Sequence, residues 1–259
     1  MDYAVVAVPA APMRRKPRHQ REMVSQLLFG ETVEVLKRKN NLWVKVRSIH
    51  DSYEGWMTQT QLKEIEEADA KKLPGLLTSG MFNTIIDING VKMNVPIGSN
   101  LPGLIDGNGK IADLEYNFTG ACFNRMEMTP NAERTTELTR PWLNAPYMWG
   151  GRTVFGVDCS GFVQVNYKMM GIDLSRDAWQ QAEVGDSAGD IDQLREADLL
   201  FFSDRGDGRI THVGISLGDR RMVHLALGRG GYSIERLDDA RDAYVAKLRT
   251  RFVVARRVV

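Results

Sequence analysis

The chain has 259 residues, with 43% hydrophobic, 26% charged and 8% aromatic residues and a formal net charge of +1. This length exceeds what one hydrophobic core usually needs, so two or three compact units are expected. A near-neutral chain without a basic, aromatic-rich stripe is not expected to bind nucleic acid. Its apolar stretches are too short for a membrane span, and its two cysteines are too few for a disulfide scaffold.

The N-terminal segment, residues 4–11, is apolar, but Asp2 precedes it and Arg14, Arg15 and Lys16 follow it. A secretory signal places its positive charge first and has a longer apolar region. The segment is therefore predicted to be a strand of the first domain rather than a secretory signal. The enzyme is accordingly expected in the cytoplasm. A periplasmic or secreted location is the alternative if a signal has been removed.

Residues 1–65 show the alternation of polar and apolar residues that is typical of a small β-barrel. Val33 and Val35 alternate with polar neighbours, and Lys39-Asn40-Asn41 is a turn signal before the returning strand. The charged residues 64–72 predict a helical connector.

Residues 66–126 again predict short paired strands. Residues 85–88 lead into Asn89-Gly90, and the strand pattern resumes at Val91. Asn-Gly between two such runs is the strongest short hairpin signal, because both central residues must accept a positive φ. Asp106-Gly107-Asn108-Gly109 predicts another tight turn, since its glycines have the wrong offsets for a calcium loop.

Residues 127–259 predict an α+β domain, because helical patterns come first and strand patterns follow. Thr129 is a candidate N-cap for the first helix, with Pro130 in its first turn. A second helix is predicted over residues 162–170, where apolar residues recur at helical spacing, and Gly171 is expected to end it.

Cys159 lies just before this second helix, within Val157-Asp158-Cys159-Ser160-Gly161. At a helix N-terminus the dipole and the unpaired N–H groups favour a thiolate, and the same N–H groups suit an oxyanion. Iodoacetamide is then expected to alkylate Cys159 below the pH at which an ordinary thiol reacts. Cys122 has no such motif and is interpreted as a small buried hydrophobic residue.

A cysteine nucleophile needs a base, and the chain has four histidines. His19 and His50 lie in polar segments and are expected at the surface. His212 and His224 lie on two predicted strands that Gly218-Asp219-Arg220 joins. A two-residue loop would place these two histidines on opposite faces, whereas a three-residue loop places them on one face, about 7–8 Å apart along the backbone. A catalytic pair requires the three-residue loop.

Cys159 as nucleophile, His212 as base and His224 as the orienting group have the general form of an activated nucleophile. The same three side chains would also fit a catalytic zinc site. We favour the peptidase interpretation because a metal ligand has no need of a helix N-terminus and a flanking glycine. On that interpretation neither a metal nor another cofactor is expected.

These motifs resemble those of the NlpC family of bacterial cell-wall cysteine peptidases. The resemblance covers residues 145–226 and rests on the segments 146–151, 158–162, 197–202, with Ala197 where glycine is usual, and 211–215. The 53 residues from Cys159 to His212 and the further 12 to His224 also fit the family. The resemblance implies a papain-like cysteine peptidase domain.

The N-terminal 125 residues resemble the paired bacterial SH3-like domains that precede the peptidase domain in some members. The resemblance therefore implies two small SH3-like β-barrels, at residues 1–65 and 66–126, before the peptidase domain at residues 127–259. Such members resemble γ-D-glutamyl-L-diamino acid endopeptidases. These enzymes cut murein peptides between D-glutamate and the diamino acid through a thioester acyl-enzyme, and they require a free N-terminal L-alanine amine.

The resemblance also implies the substrate-binding residues. Arg176-Asp177-Ala178 resembles an Arg-Asp-Ser segment of these enzymes, with a hydroxyl lost at Ala178, and Glu22 and Tyr53 match first-domain residues that reach the amine. The other expected binding residues lie near the nucleophile, where packing or helix capping is their simpler role: Tyr147, Trp149, Asp158 and Ser160.

Two other functions stay open at this point. One is a murein amidase or another acyl transferase of the same fold, and the other is a wall-peptide-binding module with an inactive third domain. The expected partner is a murein peptide with lysine or diaminopimelate, rather than nucleic acid or a membrane, and the sequence indicates no oligomeric state. Free tripeptides and tetrapeptides are expected substrates, which suits a recycling role.

Overall fold

The computed structural model describes residues 2–72, 75–81, 85–88 and 90–259. The chain divides into two compact units, the first running to Met128 and including Trp149–Val154. The second unit consists of Thr129–Met148 and Phe155–Val259. Among the described residues, no helix is long and apolar enough to cross a membrane.

The first unit opens with an antiparallel sheet. Its strands are β1 (Tyr3–Val6), β2 (Ala10–Arg14), β3 (Met23–Leu28), β4 (Thr32–Lys39), β5 (Trp43–Ser48), β6 (Glu54–Thr58) and β7 (Leu62–Ile65). They lie in the order β3-β2-β6-β5-β4-β1-β7. The predicted turn between β4 and β5 is confirmed, with Asn40 at φ 55°. Alternate residues of these strands, among them Val33, Val44 and Met57, are fully buried and form one hydrophobic core.

The predicted helical connector over residues 64–72 is wrong in its first part. Glu64 and Ile65 belong to β7, where Ile65 lies opposite Tyr3 of β1. Pairing with β1 satisfies the backbone groups of this stretch, so tertiary structure outweighs its charged composition. The helix that follows, α1, is limited to Glu67–Ala70.

The rest of the first unit is made of short strands. These are β8 (Leu76–Thr78), β9 (Ile85–Ile88), β10 (Val91–Asn94), β11 (Asn108–Ile111), β12 (Leu114–Phe118), β13 (Cys122–Asn124) and β14 (Arg152–Thr153). The predicted hairpin is confirmed, because Ile88 lies opposite Val91 and Gly90 has φ 83°, while Asn89 lies outside the described residues. Cys122 is exposed, so its interpretation as a buried residue is wrong.

The second unit combines helices with an antiparallel sheet. Its elements are α2 (Thr135–Thr139), β15 (Gly156–Val157), α3 (Cys159–Lys168), α4 (Ala178–Gln181), β16 (Asp186–Ser187), β17 (Leu199–Phe202), β18 (His212–Ser216), β19 (Arg221–Ala226), β20 (Gly231–Arg236), α5 (Ala243–Thr250) and β21 (Phe252–Arg257). The sheet has the order β16-β21-β17-β18-β19-β20, and α3 packs against β18 and β19.

Helix α3 begins at Cys159, three residues before the predicted helical run, and each of its residues is buried. Gly171, with φ 84°, follows its last turn as predicted. The prediction that Thr129 caps the first helix is wrong. The first helical turn starts at Ala132, and Asn131 caps it by accepting the N–H of Glu133 with its side chain. The helix with the nucleophile candidate is therefore the buried centre of this unit.

A buried ion pair holds the segment Trp149–Val154 within the first unit. Arg152 donates from Nη1 and Nη2 to the two carboxylate oxygens of Glu31, at 2.7 and 3.0 Å, and both side chains are fully buried. Arg152 also donates from its backbone N–H to Gln26 Oε1 at 2.8 Å and from Nη1 to the Gln26 carbonyl at 2.8 Å. This segment follows directly on Met148 in the chain and precedes the nucleophile region.

We predict that Arg152→Met lowers the free energy of unfolding by about 3–5 kcal/mol, because it leaves the Glu31 carboxylate buried without its cation. Lys72→Met is the matched control. Lys72 pairs with Asp69 at the surface, where a lone ion pair contributes less than about 1 kcal/mol. Urea denaturation of the two variants measures the difference, and equal effects would contradict a structural role for the Arg152–Glu31 pair.

Candidate active site

Cys159 is the first residue of α3, as the sequence predicts for a nucleophile. Asp158 caps the helix, and its Oδ1 accepts the N–H of Gly161 at 2.8 Å. Cys159 is 7% exposed, and the backbone N–H groups of Val213 and Ser160 hydrogen-bond its sulfur. Since Val213 follows His212 on β18, the sulfur lies beside the start of that strand.

The protonation state of Cys159 differs from the sequence expectation. Burial raises the pKa of the Cys159 thiol to about 12, and the negative charge of Asp158 adds to the rise. The N–H groups of Val213 and Ser160 and the charge of Arg176 lower this pKa but do not outweigh burial. The expectation that Cys159 is a thiolate in the free protein is therefore wrong, because desolvation raises the pKa by more than the helix terminus lowers it.

The register of β18 and β19 places the two histidines on one face. Ser216 lies opposite Met222, and the loop between the strands has the predicted three residues, Gly218-Asp219-Arg220, all with positive φ. His212 Nε2 and His224 Nδ1 are 2.8 Å apart, a hydrogen-bond distance. The three-residue loop that the catalytic hypothesis requires, with both histidines on one face of the hairpin, is therefore confirmed.

His212 is a neutral imidazole at neutral pH. Burial lowers its pKa well below 6.5, and the neighbouring His224 lowers it further. Together with the raised pKa of Cys159, this describes a neutral thiol at the start of α3 and a neutral imidazole on β18, the strand whose Val213 N–H hydrogen-bonds the sulfur. Such a pair can transfer the proton as the sulfur attacks, with the imidazole as general base.

The geometry does not favour the zinc alternative. A zinc ion would require a lone pair from each histidine, whereas His212 Nε2 and His224 Nδ1 are joined to each other by a hydrogen bond. Within the described ranges, no group of three or more His, Cys, Asp or Glu side chains is arranged to hold a metal ion.

Glu235 extends the pair of histidines, and the sequence did not predict it. Its Oε1 lies 3.3 Å from Nε2 of the fully buried His224. Arg229 donates to both of its oxygens, at 2.9 and 2.8 Å, and the Ser233 hydroxyl donates at 2.6 Å. Burial alone would raise the pKa of Glu235, but these hydrogen bonds outweigh it and hold that pKa at about 2.

Arg176, which the resemblance assigns to substrate binding, forms a buried cluster next to the nucleophile with Asp158 and Ser160, two further expected binding residues. Arg176 donates to Asp158 Oδ1 at 3.0 Å and Oδ2 at 2.7 Å, and to the Ser160 hydroxyl at 2.8 Å. Gln181 donates to the Ser160 carbonyl at 3.1 Å. These contacts hold Asp158 and Ser160 and so stabilise the backbone on both sides of Cys159.

The other predicted binding residues fall in both units. Tyr147 is half-buried in the second unit, and its pKa is raised by burial, then by the charges of Cys159 and Asp158. Asp177 accepts a hydrogen bond from the Trp179 indole at 3.3 Å.

In the first unit, the predicted amine-binding residue Glu22 already has two partners. Trp149, which is exposed, donates from Nε1 to Glu22 Oε1 at 3.0 Å, and Arg15 pairs with Glu22 at 2.6 Å. Tyr53 packs against the first core. Of the two histidines expected at the surface, His19 is exposed and His50 is half-buried.

Comparisons with known proteins give matches over both units. The profile of the NlpC/P60 family matches residues 144–251, and that of the bacterial dipeptidyl-peptidase Sh3 domain matches residues 13–62. The chain is 33% identical over 229 residues to the gamma-D-glutamyl-L-lysine dipeptidyl-peptidase of Bacillus cereus, covering 78% of this chain and 67% of that protein. It is 30% identical over 241 residues to the protein of the same name from Bacillus subtilis, covering 86% and 78%. A crystal structure of an NlpC/P60 family protein from B. cereus matches with a TM-score of 0.84 at 25% identity, over 99% of each chain.

We predict that the His212 imidazole titrates well below pH 6.5, because burial and His224 both oppose its protonation. An unfolded chain takes up this proton near pH 6.5, so the folded state loses stability as the pH falls below that value. Histidine NMR titration measures the pKa, with His19 as the exposed reference. An inflection of His212 at or above pH 6.5 would contradict the neutral thiol–imidazole pair.

Proposed function

Since the chain belongs to the NlpC/P60 family and combines its papain-like peptidase fold with a bacterial SH3 domain, we propose that it hydrolyses the γ-D-glutamyl-diamino acid bond of murein peptides. The observation that carries the proposal is the position of Cys159 at the start of α3, beside the strand on which His212 is hydrogen-bonded to His224. The names of the two Bacillus relatives support L-lysine as the diamino acid and a dipeptide as the released acyl group.

The first half of the reaction forms a thioester. Cys159 attacks the γ-carbonyl carbon of D-glutamate while His212 takes the thiol proton, so that the C–S bond forms and an oxyanion develops. The C–N bond then breaks, its electron pair stays on nitrogen, and His212 delivers the proton to the departing amine. His224 holds His212 in position throughout.

The second half releases the dipeptide. Water attacks the thioester carbon and gives a proton to His212, the C–S bond breaks, and the sulfur regains the proton. The products are L-Ala-D-Glu with a free γ-carboxyl group and the shortened peptide with a free amine. The thiol proton ends on the released amine and the proton from water ends on the sulfur, so the enzyme returns to its starting state. This proposed route uses no cofactor.

The residues around the nucleophile have distinct proposed roles. Tyr147 carries a neutral phenol, because its pKa is raised, and can donate a hydrogen bond to the oxyanion or to the substrate. Arg176 matches a substrate-binding arginine of the resembled enzymes, and Asp158 and Ser160, which flank the nucleophile, are proposed to bind the substrate with it. In this chain their mutual hydrogen bonds also support a positioning role for the turn of Cys159. Trp149 is proposed as a wall of the substrate site.

Recognition of the N-terminal ammonium group is proposed for Glu22 and Tyr53, which the family resemblance assigns to it, and for Asp177, which supplies a second carboxylate. Two carboxylates and a phenol suit an alkylammonium ion, since all three accept its hydrogen bonds. An enzyme that requires this free amine acts on released peptides rather than on intact wall. Such a preference supports a role in recycling, with the cytoplasm as the proposed location.

The domain arrangement is part of the same proposal. Residues 1–65 and 66–126 are proposed as two SH3-like β-barrels, and residues 127–259 as the peptidase domain. The first unit has two hydrophobic cores, one around Val33 and Val44 and one around Ile86 and Tyr116, and the second also contains Val5 and Phe29 of the proposed first domain.

We predict that Cys159→Ala lowers hydrolysis of L-Ala-γ-D-Glu-L-Lys by at least about 1,000-fold, because no other group in the proposed mechanism forms the acyl bond. Mass spectrometry of the products gives the bond that is cut and the rate. The matched control is Cys122→Ala, which removes the exposed thiol and is expected to keep near-native turnover. Near-native turnover in the Cys159 variant would disprove covalent catalysis.

The N-acetylated tripeptide is predicted to have a kcat/KM at least about 100-fold below that of the free tripeptide, because acetylation removes the charge and the hydrogen-bond donors that Glu22, Tyr53 and Asp177 are proposed to bind. Glu22→Gln should lower kcat/KM for the free tripeptide but not for the N-acetylated one, so that the difference between the two peptides becomes smaller. Glu34→Gln is the control, since Glu34 is half-buried and pairs with Arg47. Equal rates on both peptides, or release of peptides from intact sacculi, would show that the amine is not recognised.

A further inference from the structure

A carboxylate closes the far end of the histidine pair. Glu235 lies on β20, where Ser233 pairs with His224 of β19, so that Glu235 is the diagonal neighbour of His224 on the same face. Its Oε1 is 3.3 Å from His224 Nε2, while Nδ1 of the same ring is 2.8 Å from His212 Nε2. The three side chains form one continuous line of hydrogen bonds.

The carboxylate is held in place from three sides. Arg229 binds both of its oxygens, and the Ser233 hydroxyl donates to Oε1. Arg229 is fixed in turn by an ion pair with Asp242, the N-cap of α5, and by the ring of Tyr244, whose centroid is 4.3 Å from the guanidinium carbon. Glu235 is 4% exposed, so water does not compete for it as it would at the surface.

An ionised carboxylate only accepts hydrogen bonds, and this gives the line a direction. His224 must donate from Nε2 to Glu235, so its Nδ1 carries the lone pair when the ring is neutral. His212 must then donate from Nε2 to that lone pair. The remaining nitrogen of His212, Nδ1, is therefore unprotonated and is the basic one.

We propose that Glu235 is a positioning residue that selects the tautomers of His224 and His212, so that His212 presents a basic Nδ1 for the proton of Cys159. This inference rests on the proposed function for its catalytic meaning, while the tautomers themselves can be measured without substrate. Glu235 touches neither the substrate nor the reacting atoms and acts through His224.

The variant Glu235→Met tests the direction of the line, because it removes both acceptor oxygens at a similar side-chain length. His224 then has no carboxylate to receive the proton of Nε2. Its proton can move to Nδ1 and be donated to His212 Nε2, which moves the proton of His212 to Nδ1. In that form His212 cannot accept the proton of the thiol. Glu235→Asp keeps the charge and the acceptor and is expected to keep the native tautomers.

The direct readout is ¹⁵N NMR of the histidine rings in the full-length protein, which distinguishes protonated from unprotonated ring nitrogens. The native protein and Glu235→Asp should have unprotonated Nδ1 in both His212 and His224, and Glu235→Met should have a measurable population with protonated Nδ1 in both. Glu137→Met, which alters an exposed carboxylate of the same unit, should match the native protein. Entirely native tautomers in a folded Glu235→Met protein would overturn the inference.

Kinetics separate positioning from simple structural support. On the free tripeptide, Glu235→Met should lower kcat at least about 100-fold with little change in KM, and Glu235→Asp should keep at least about a tenth of the native kcat, because a wrong tautomer removes the base without altering the substrate site. A Met variant that is folded and retains native kcat contradicts the inference. A native enzyme that cuts no murein peptide contradicts the proposed function instead, and the NMR result still decides the tautomers.

Discussion

The hydrogen bond between His212 and His224, 2.8 Å long, depends on the pairing of β18 with β19. A three-residue loop with positive φ throughout sets this register, and one residue fewer would turn the two side chains to opposite faces. Gly214 lies between His212 and Ser216 on the same face, where a Cβ would lie 2.5 Å from Met222 Sδ. Backbone geometry therefore brings the base and its orienting partner together, and the side chains of neighbouring elements then set their chemistry.

Burial governs the chemistry of Cys159 and of His212. It raises the pKa of the thiol and lowers that of the imidazole, so the resting pair is neutral. An ion pair at rest would be stabilised before the substrate arrives, whereas a neutral pair develops its charge as the sulfur attacks. The charges of the Arg176–Asp158 pair act on Cys159, and Glu235 of the Arg229–Glu235 pair contacts His224; each ion pair is held by several hydrogen bonds.

Local sequence was sufficient to predict the helix that starts at Cys159, the hairpin of His212 and His224, and the family to which the chain belongs. Glu235 escaped prediction because its role depends on the pairing of β20 with β19, which strand propensity does not specify. The thiolate expectation failed because burial is a tertiary property. Ala197, in a position where glycine is usual, has φ 67°, a conformation that costs a non-glycine residue about 1–2 kcal/mol.

The central claim is that Cys159 carries the acyl group of the substrate during turnover. Rapid acid quenching of the reaction with L-Ala-γ-D-Glu-L-Lys, followed by mass spectrometry of the intact protein and of its proteolytic fragments, measures this directly. The account predicts an alanyl-glutamyl adduct on the fragment that contains Cys159, absent from the Cys159→Ala protein. An adduct on another residue during steady hydrolysis would contradict the account. Hydrolysis by protein in which Cys159 is fully alkylated would also contradict it.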